Sequence, residues 1–146
     1  MSEEARNVEI LKEAYKRWSD SRGKSGDDWM KICADNIAFG SIAQGAAPGA
    51  HYLTSYRSRN ALKDYFDGLV RDWEMVEYVP EHFVAQGDRV VMLGRCAWRY
   101  KKTGKVVATP KCDSWRFANG KAVEFFEYYD TAQVHAAAEA PAGRTA

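Results

Sequence analysis

Between Glu74 and Asp130 the chain is a train of long β-segments broken by three turn signals, Gln86-Gly87-Asp88, Thr103-Gly104 and Asn119-Gly120. Asn-Gly between apolar runs predicts a type I′ hairpin, because both central residues of that turn need positive φ. The turns lie about 16 residues apart, against about 8–12 in ordinary hairpin arrays, so each strand is roughly twice the usual length of five or six. Strands that long accumulate twist and curl, with bulges where the curl is sharp. The pattern predicts a four-stranded antiparallel meander bent into a half-barrel, a cup that the rest of the chain fills or covers.

The preceding segments read as helices. Val8, Leu11, Tyr15 and Trp18 form one stripe of a first helix over 3–21. Ser25, with Asp28 three residues on, predicts a capped second helix whose inner face is Trp29, Ile32 and Cys33. A short strand follows over 37–42. The small residues, Gly and Pro of 43–55 read as a mobile loop, from which His51, Tyr52 and Tyr56 reach over a pocket. Ser58 then caps a third helix carrying Leu62, Tyr65, Phe66, Leu69 and Trp73. Pro80 inside the first long strand implies an edge position or a bulge. Helices first and strands after is the α+β order, here as one domain over 1–135 with a flexible tail over 136–146.

Charge and composition narrow the function. Lys plus Arg, 21, nearly balances Asp plus Glu, 20, so no basic field invites nucleic acid. The longest apolar run falls short of the roughly 18 residues of a membrane span. Met1-Ser2-Glu3-Glu4 has no targeting character, and three widely spaced cysteines suit neither a disulfide framework nor a zinc site. The expectation is a cytoplasmic protein with no metal and no cofactor. Both faces of the meander are partly apolar, so one should hold the helices and a pocket and the other a second copy of the chain.

Helices, a lid-like loop and a long meander ending in Arg116-Phe117-Ala118-Asn119-Gly120-Lys121 and Glu127-Tyr128-Tyr129-Asp130 resemble the nuclear transport factor 2-like superfamily. Its members include ketosteroid isomerase, scytalone dehydratase, limonene epoxide hydrolase and the SnoaL-like polyketide cyclases. The resemblance implies a cone-shaped barrel, a curved antiparallel sheet wrapped around N-terminal helices, with an apolar pocket and commonly a homodimer through the outer sheet face. It places Tyr15 at the oxyanion-hole tyrosine of ketosteroid isomerase and Asp113 at its protonated aspartic acid, a residue whose neutral state is a known example of carboxyl tuning. Where that enzyme keeps its base, this chain has Gly40-Ser41. Arg95 and Glu127 fall at an arginine and a catalytic carboxylate of limonene epoxide hydrolase, whose second aspartate is Ala97 here.

Together Glu127, Asp113, Tyr15 and Arg95 would give two carboxyls, a phenol and a fixed cation around a small apolar ligand. Trp18, Ser41, His51, Tyr56, Trp115, Phe125 and Tyr129 are its expected contacts. Such a set suits proton transfer beside a carbonyl, with Glu127 as base and Tyr15 and protonated Asp113 as donors. The same residues admit a structural reading: Arg95–Glu127 as a buried ion pair, Tyr15 and Trp18 as core, Asp113 as a hydrogen-bond partner. A non-catalytic binding or interaction module of the same fold is the alternative.

Overall fold

The computed structural model describes residues 1–43 and 58–139. Helix α1, Glu3–Asp20, opens with Ser2, whose side chain accepts from the Ala5 amide at 3.1 Å, and buries Leu11, Ala14, Tyr15 and Trp18. It closes through two residues of positive φ, Arg22 (54°) and Gly23 (80°). Helix α2, Gly26–Ile32, follows at once and buries Trp29. The capping box expected here does not form. Ser25 (φ −96°, ψ 34°) is not in the extended conformation a side-chain cap needs, its hydroxyl has no hydrogen-bond partner among the described residues, and Asp28 turns instead to Lys31 and Arg17.

Strand β1, Cys33–Ser41, is longer than the sequence suggests, because it starts directly at the end of α2. Residues 44–57, including the expected lid with His51 and Tyr56, lie outside the described residues. Helix α3, Arg59–Asp72, has its predicted cap, with Ser58 accepting from the Ala61 amide at 3.1 Å, and buries Leu62, Tyr65 and Leu69. Four long strands follow: β2 Trp73–Gln86, β3 Arg89–Tyr100, β4 Val106–Ala118 and β5 Lys121–Tyr129. Asn119 (53°) and Gly120 (77°) both have positive φ, as a type I′ turn requires.

The sheet order is β1-β5-β4-β3-β2. The β2–β5 meander is antiparallel, but β1 pairs with β5 in parallel, so the sheet is mixed rather than antiparallel throughout. Parallel neighbours need a long crossover, and here α3 and the first three meander strands supply it. Five strands and four helices among the described residues make an α+β cone whose sheet does not close. Helices α1 and α3 pack on the sheet, and α2 packs against both of them. No helix of the described residues is long and apolar enough to cross a membrane.

Helix α4, Thr131–Ala138, was not foreseen. Asp130 caps it, accepting from the Gln133 amide at 3.1 Å, and Val134, Ala137 and Ala138 are buried. It runs through residue 136, where the sequence suggested a loose tail; the last part of that stretch, 140–146, lies outside the described residues. The β3–β4 hairpin holds the end of α4, with Thr103 Oγ1 donating to the Ala137 carbonyl at 2.6 Å and Lys105 Nζ to that of Glu139 at 2.9 Å.

Pro80 satisfies both sequence expectations: β2 is an edge strand, and the register shifts between Pro80 and His82. Its partner across the ladder is Gly94. A Cβ at Gly94 would stand 2.2 Å from the Val79 carbonyl oxygen and 3.0 Å from Pro80 Cα. Only glycine allows the two backbones to approach so closely where the sheet bends. Gly94→Ala should therefore destabilise the fold by about 1–3 kcal/mol, read as a lower urea midpoint at unchanged slope; a wild-type midpoint would show that the bend tolerates a methyl group.

Candidate functional site

Alternation along two neighbouring strands builds the polar part of the cup. On β4, Lys111, Asp113 and Trp115 face inward; on β5, Phe125, Glu127 and Tyr129 do. Asp113 is the direct cross-strand partner of Glu127, and Lys111 that of Tyr129. Register thus sets two carboxyls side by side with an ammonium diagonal to one and two residues from the other. All three are buried, at 9% relative exposure for Lys111, 2% for Asp113 and 3% for Glu127.

Lys111 Nζ donates to Asp113 Oδ1 and, at 3.0 Å, to Glu127 Oε2. The other Asp113 oxygen accepts from the hydroxyls of Tyr15 on α1, at 2.5 Å, and Tyr78 on β2, at 3.2 Å. Trp115 Nε1 donates to the Tyr15 oxygen at 2.9 Å. Tyr65 on α3 donates to Glu127 Oε2 at 3.3 Å. Glu127 Oε1 has no hydrogen-bond partner among the described residues. The network therefore stitches both long helices to the sheet through two carboxyl groups.

Its charges follow from its partners. Burial works against the Lys111 ammonium, but Asp113 and Glu127 outweigh it and raise its pKa, so the cation is fixed. Burial, then the neighbouring Asp113, raises the pKa of Tyr15 and Tyr78, so both phenols keep their hydrogens. Three donors on Asp113 suit an acceptor-only carboxylate. The pKa of Glu127 is raised by burial, with Lys111 opposing the rise and Asp113 adding to it. Tyr129 is pushed up by burial and then by Glu127, and shares a 3.0 Å hydrogen bond with Ser41.

This polar wall borders a cavity of about 110 Å³ whose remaining walls are mostly aromatic, with Trp18, Trp29, Phe39, Phe66, Trp98 and Phe125 among them. Trp29 stacks on Trp115, with centroids 5.3 Å apart and planes 11° from parallel. The size is of the order of an engineered apolar cavity of about 150 Å³ that binds benzene. No group of three or more His, Cys, Asp or Glu side chains among the described residues is placed to hold a metal ion.

Seven of the expected site residues line this cavity: Tyr15, Trp18, Asp113, Trp115, Phe125, Glu127 and Tyr129. Ser41 is fully buried behind it, against Tyr129. His51 and Tyr56 lie outside the described residues. Arg95 is not in the site. Its neighbour Cys96 faces the cavity, so Arg95 points to the outer face, pairing with Glu77 at 3.0 Å with its side chain 52% exposed. A buried Arg95–Glu127 pair is therefore ruled out, and the cation is Lys111. The protonated, donating Asp113 is also not what its partners favour, and Tyr15 gives its one hydrogen to Asp113. Sequence reasoning missed Lys111, Tyr65 and Tyr78 as site residues. Lys111 was detectable, since it shares a strand face with Asp113; Tyr78 was hidden by the two register shifts in β2.

Comparison with known proteins bears on the fold. No curated protein matches the chain in sequence. Among solved structures, an NTF2-like protein of unknown function from Burkholderia pseudomallei superposes with a TM-score of 0.81 at 20% identity, covering 96% of this chain and all of that one. An NTF2-like protein from Burkholderia thailandensis gives 0.75 at 25% identity over 90% and 96% of the two chains. TerC, co-crystallised with polyporic acid, gives 0.78 at 18% identity over 92% and 99%. The SnoaL-like domain family matches residues 12–125, from the first helix to the fifth strand, and stops two residues before Glu127. With that stretch covering most of the sequence and the cone built around it, the chain belongs to the SnoaL-like family of nuclear transport factor 2-like folds.

Proposed function

We propose that the chain is a cofactor-free acid–base enzyme, of isomerase, dehydratase or cyclase type, acting on an apolar oxygenated ligand in the cavity with Glu127 as base. One observation carries this reading: a buried carboxylate on the wall of an apolar hollow, with Oε1 unengaged among the described residues and Oε2 held by Lys111 and Tyr65. A dry site with a pKa raised above the ordinary carboxylate value is where a glutamate serves as base near neutrality. The co-crystal of TerC with polyporic acid, on the same fold, supports an organic ligand for the cup.

In this reading Glu127 Oε1 takes a proton from the carbon beside a ligand carbonyl. The C–H electron pair becomes the new C=C bond, and the carbonyl π pair moves onto oxygen. That oxygen meets the Lys111 ammonium, which has three hydrogens and gives two to the carboxylates, and the Tyr129 hydroxyl. Return of the proton to another carbon completes an isomerisation. Loss of a β-hydroxyl, protonated by Glu127 as it leaves, completes a dehydration; attack of the enolate carbon on a second carbonyl closes a ring, the π pair of that carbonyl moving onto its oxygen, which takes the proton back from Glu127.

We also infer that two copies pair through the outer sheet face, where Leu93 and Tyr128 are exposed and Arg95–Glu77 and Arg99–Glu74 pair across strands. Sedimentation should give a dimer that Leu93→Glu dissociates; a wild-type monomer at micromolar concentration would end that inference.

Glu127→Gln should slow hydrogen–deuterium exchange of cyclic enones and 1,3-diketones in D2O, followed by NMR, by about 10²–10⁴-fold, with binding nearly unchanged. Exchange that survives the substitution would leave a cup that binds without catalysis. A second test is pH. The base works only when deprotonated, so kcat/KM should fall as pH drops through a pKa above the ordinary 4.5. Lys111→Met removes the cation that opposes this rise and should move the acid limb to higher pH; a limb that stays put or moves down would contradict the assignment of Glu127.

A further inference from the structure

We propose that the cavity selects its ligand by charge, holding neutral or cationic molecules and rejecting anions such as carboxylates and phosphates. The inference rests on the reading above only in placing the ligand in this cavity. Lys111 is the one cation among the described lining residues, and both carboxylates already hold it. Its other neighbours are the rings of Phe125 and Tyr129, 5.8 and 5.9 Å from Nζ.

The neutral donors of the wall are committed in the same way. Tyr15 and Tyr78 give their hydrogens to Asp113, Trp115 gives its own to Tyr15, and Tyr65 gives its to Glu127. Beside the third Lys111 hydrogen and the Tyr129 hydroxyl, what a ligand meets is an acceptor, Glu127 Oε1. Two carboxylates against one ammonium leave the wall one net negative charge. The other titratable groups lining the cavity are the phenols of Tyr15, Tyr65, Tyr78 and Tyr129 and the thiols of Cys33 and Cys96, both with a pKa raised by burial; α4 contributes Val134. None offsets the charge. A buried anion placed against it suffers like-charge repulsion with little solvent to screen it.

Benzoate, benzamide and benzamidinium share one shape and differ by a single charge at each step. Titrated calorimetrically into the wild-type protein at pH 7.5, benzamidinium should bind at least as tightly as benzamide, and benzoate at least tenfold more weakly than benzamide. Asp113→Asn removes one negative charge and should narrow the gap between benzoate and benzamide about tenfold; Lys111→Met should widen it. The wild-type series stands even if a variant does not fold. Benzoate binding as tightly as benzamide, or none of the three binding, would overturn the proposal. Should the order hold while Glu127→Gln leaves exchange untouched, charge selection stands and only the catalytic reading falls.

Discussion

One ammonium, that of Lys111, makes the interior of this protein possible. Each buried ion loses several kcal/mol of hydration, and Asp113 and Glu127 are nearest cross-strand neighbours, so without a cation between them one would have to keep its proton. Lys111 lies within hydrogen-bond reach of both, and the tyrosines of α1, α3 and β2 occupy the remaining lone pairs but for those on Glu127 Oε1. Removal of one partner from such a cluster strands the others and typically costs about 3–5 kcal/mol. The cluster also fixes geometry: α1 is joined to the sheet through Asp113 and α3 through Glu127, so the two helices flank one set of charges.

That arrangement separates this chain from the pattern its relatives suggest. A carboxyl at the position of Asp113 can act as a neutral donor when nothing nearby compensates its charge. Here a lysine two residues earlier on the same strand face compensates it. The carboxyl oxygen left without a partner among the described residues therefore belongs to Glu127. One fold can host many functions, and what distinguishes this cup is which side chain stands beside which carboxyl.

Much of this was legible in the sequence, and the parts that were not share a cause. The three turn signals predicted four strands, because Gly and Asn-Gly are needed where φ is positive whatever the tertiary context. The stripe on α1 named Leu11, Tyr15 and Trp18 but missed the buried Asn7 and Ala14, and alternation puts Asp113 on one face with Trp115, and Glu127 with Phe125 and Tyr129. Alternation does not say which of two faces looks inward, however. On β3 both faces carry apolar residues, and the resemblance to limonene epoxide hydrolase put Arg95 in the cup, where Cys96 stands instead. Two bulges in β2 shift the phase before and after Tyr78. The parallel pairing of β1 and the course of α4 depend on contacts distant in sequence, which no local pattern encodes. Lys111 was passed over because a lysine is expected in water; only the register, which brings two carboxyls to it, explains its burial.

The tie between the β3–β4 hairpin and α4 links places that look unrelated. Thr103 and Lys105 hold the carbonyls at the C-terminal end of that helix, and one turn back Val134 forms part of the cavity wall. The hairpin tip thus ties down a helix that forms part of the cavity wall. Sequence drift at this surface turn, far from any charged group of the interior, is a route by which relatives of this protein could retune the size of the hollow without touching its chemistry.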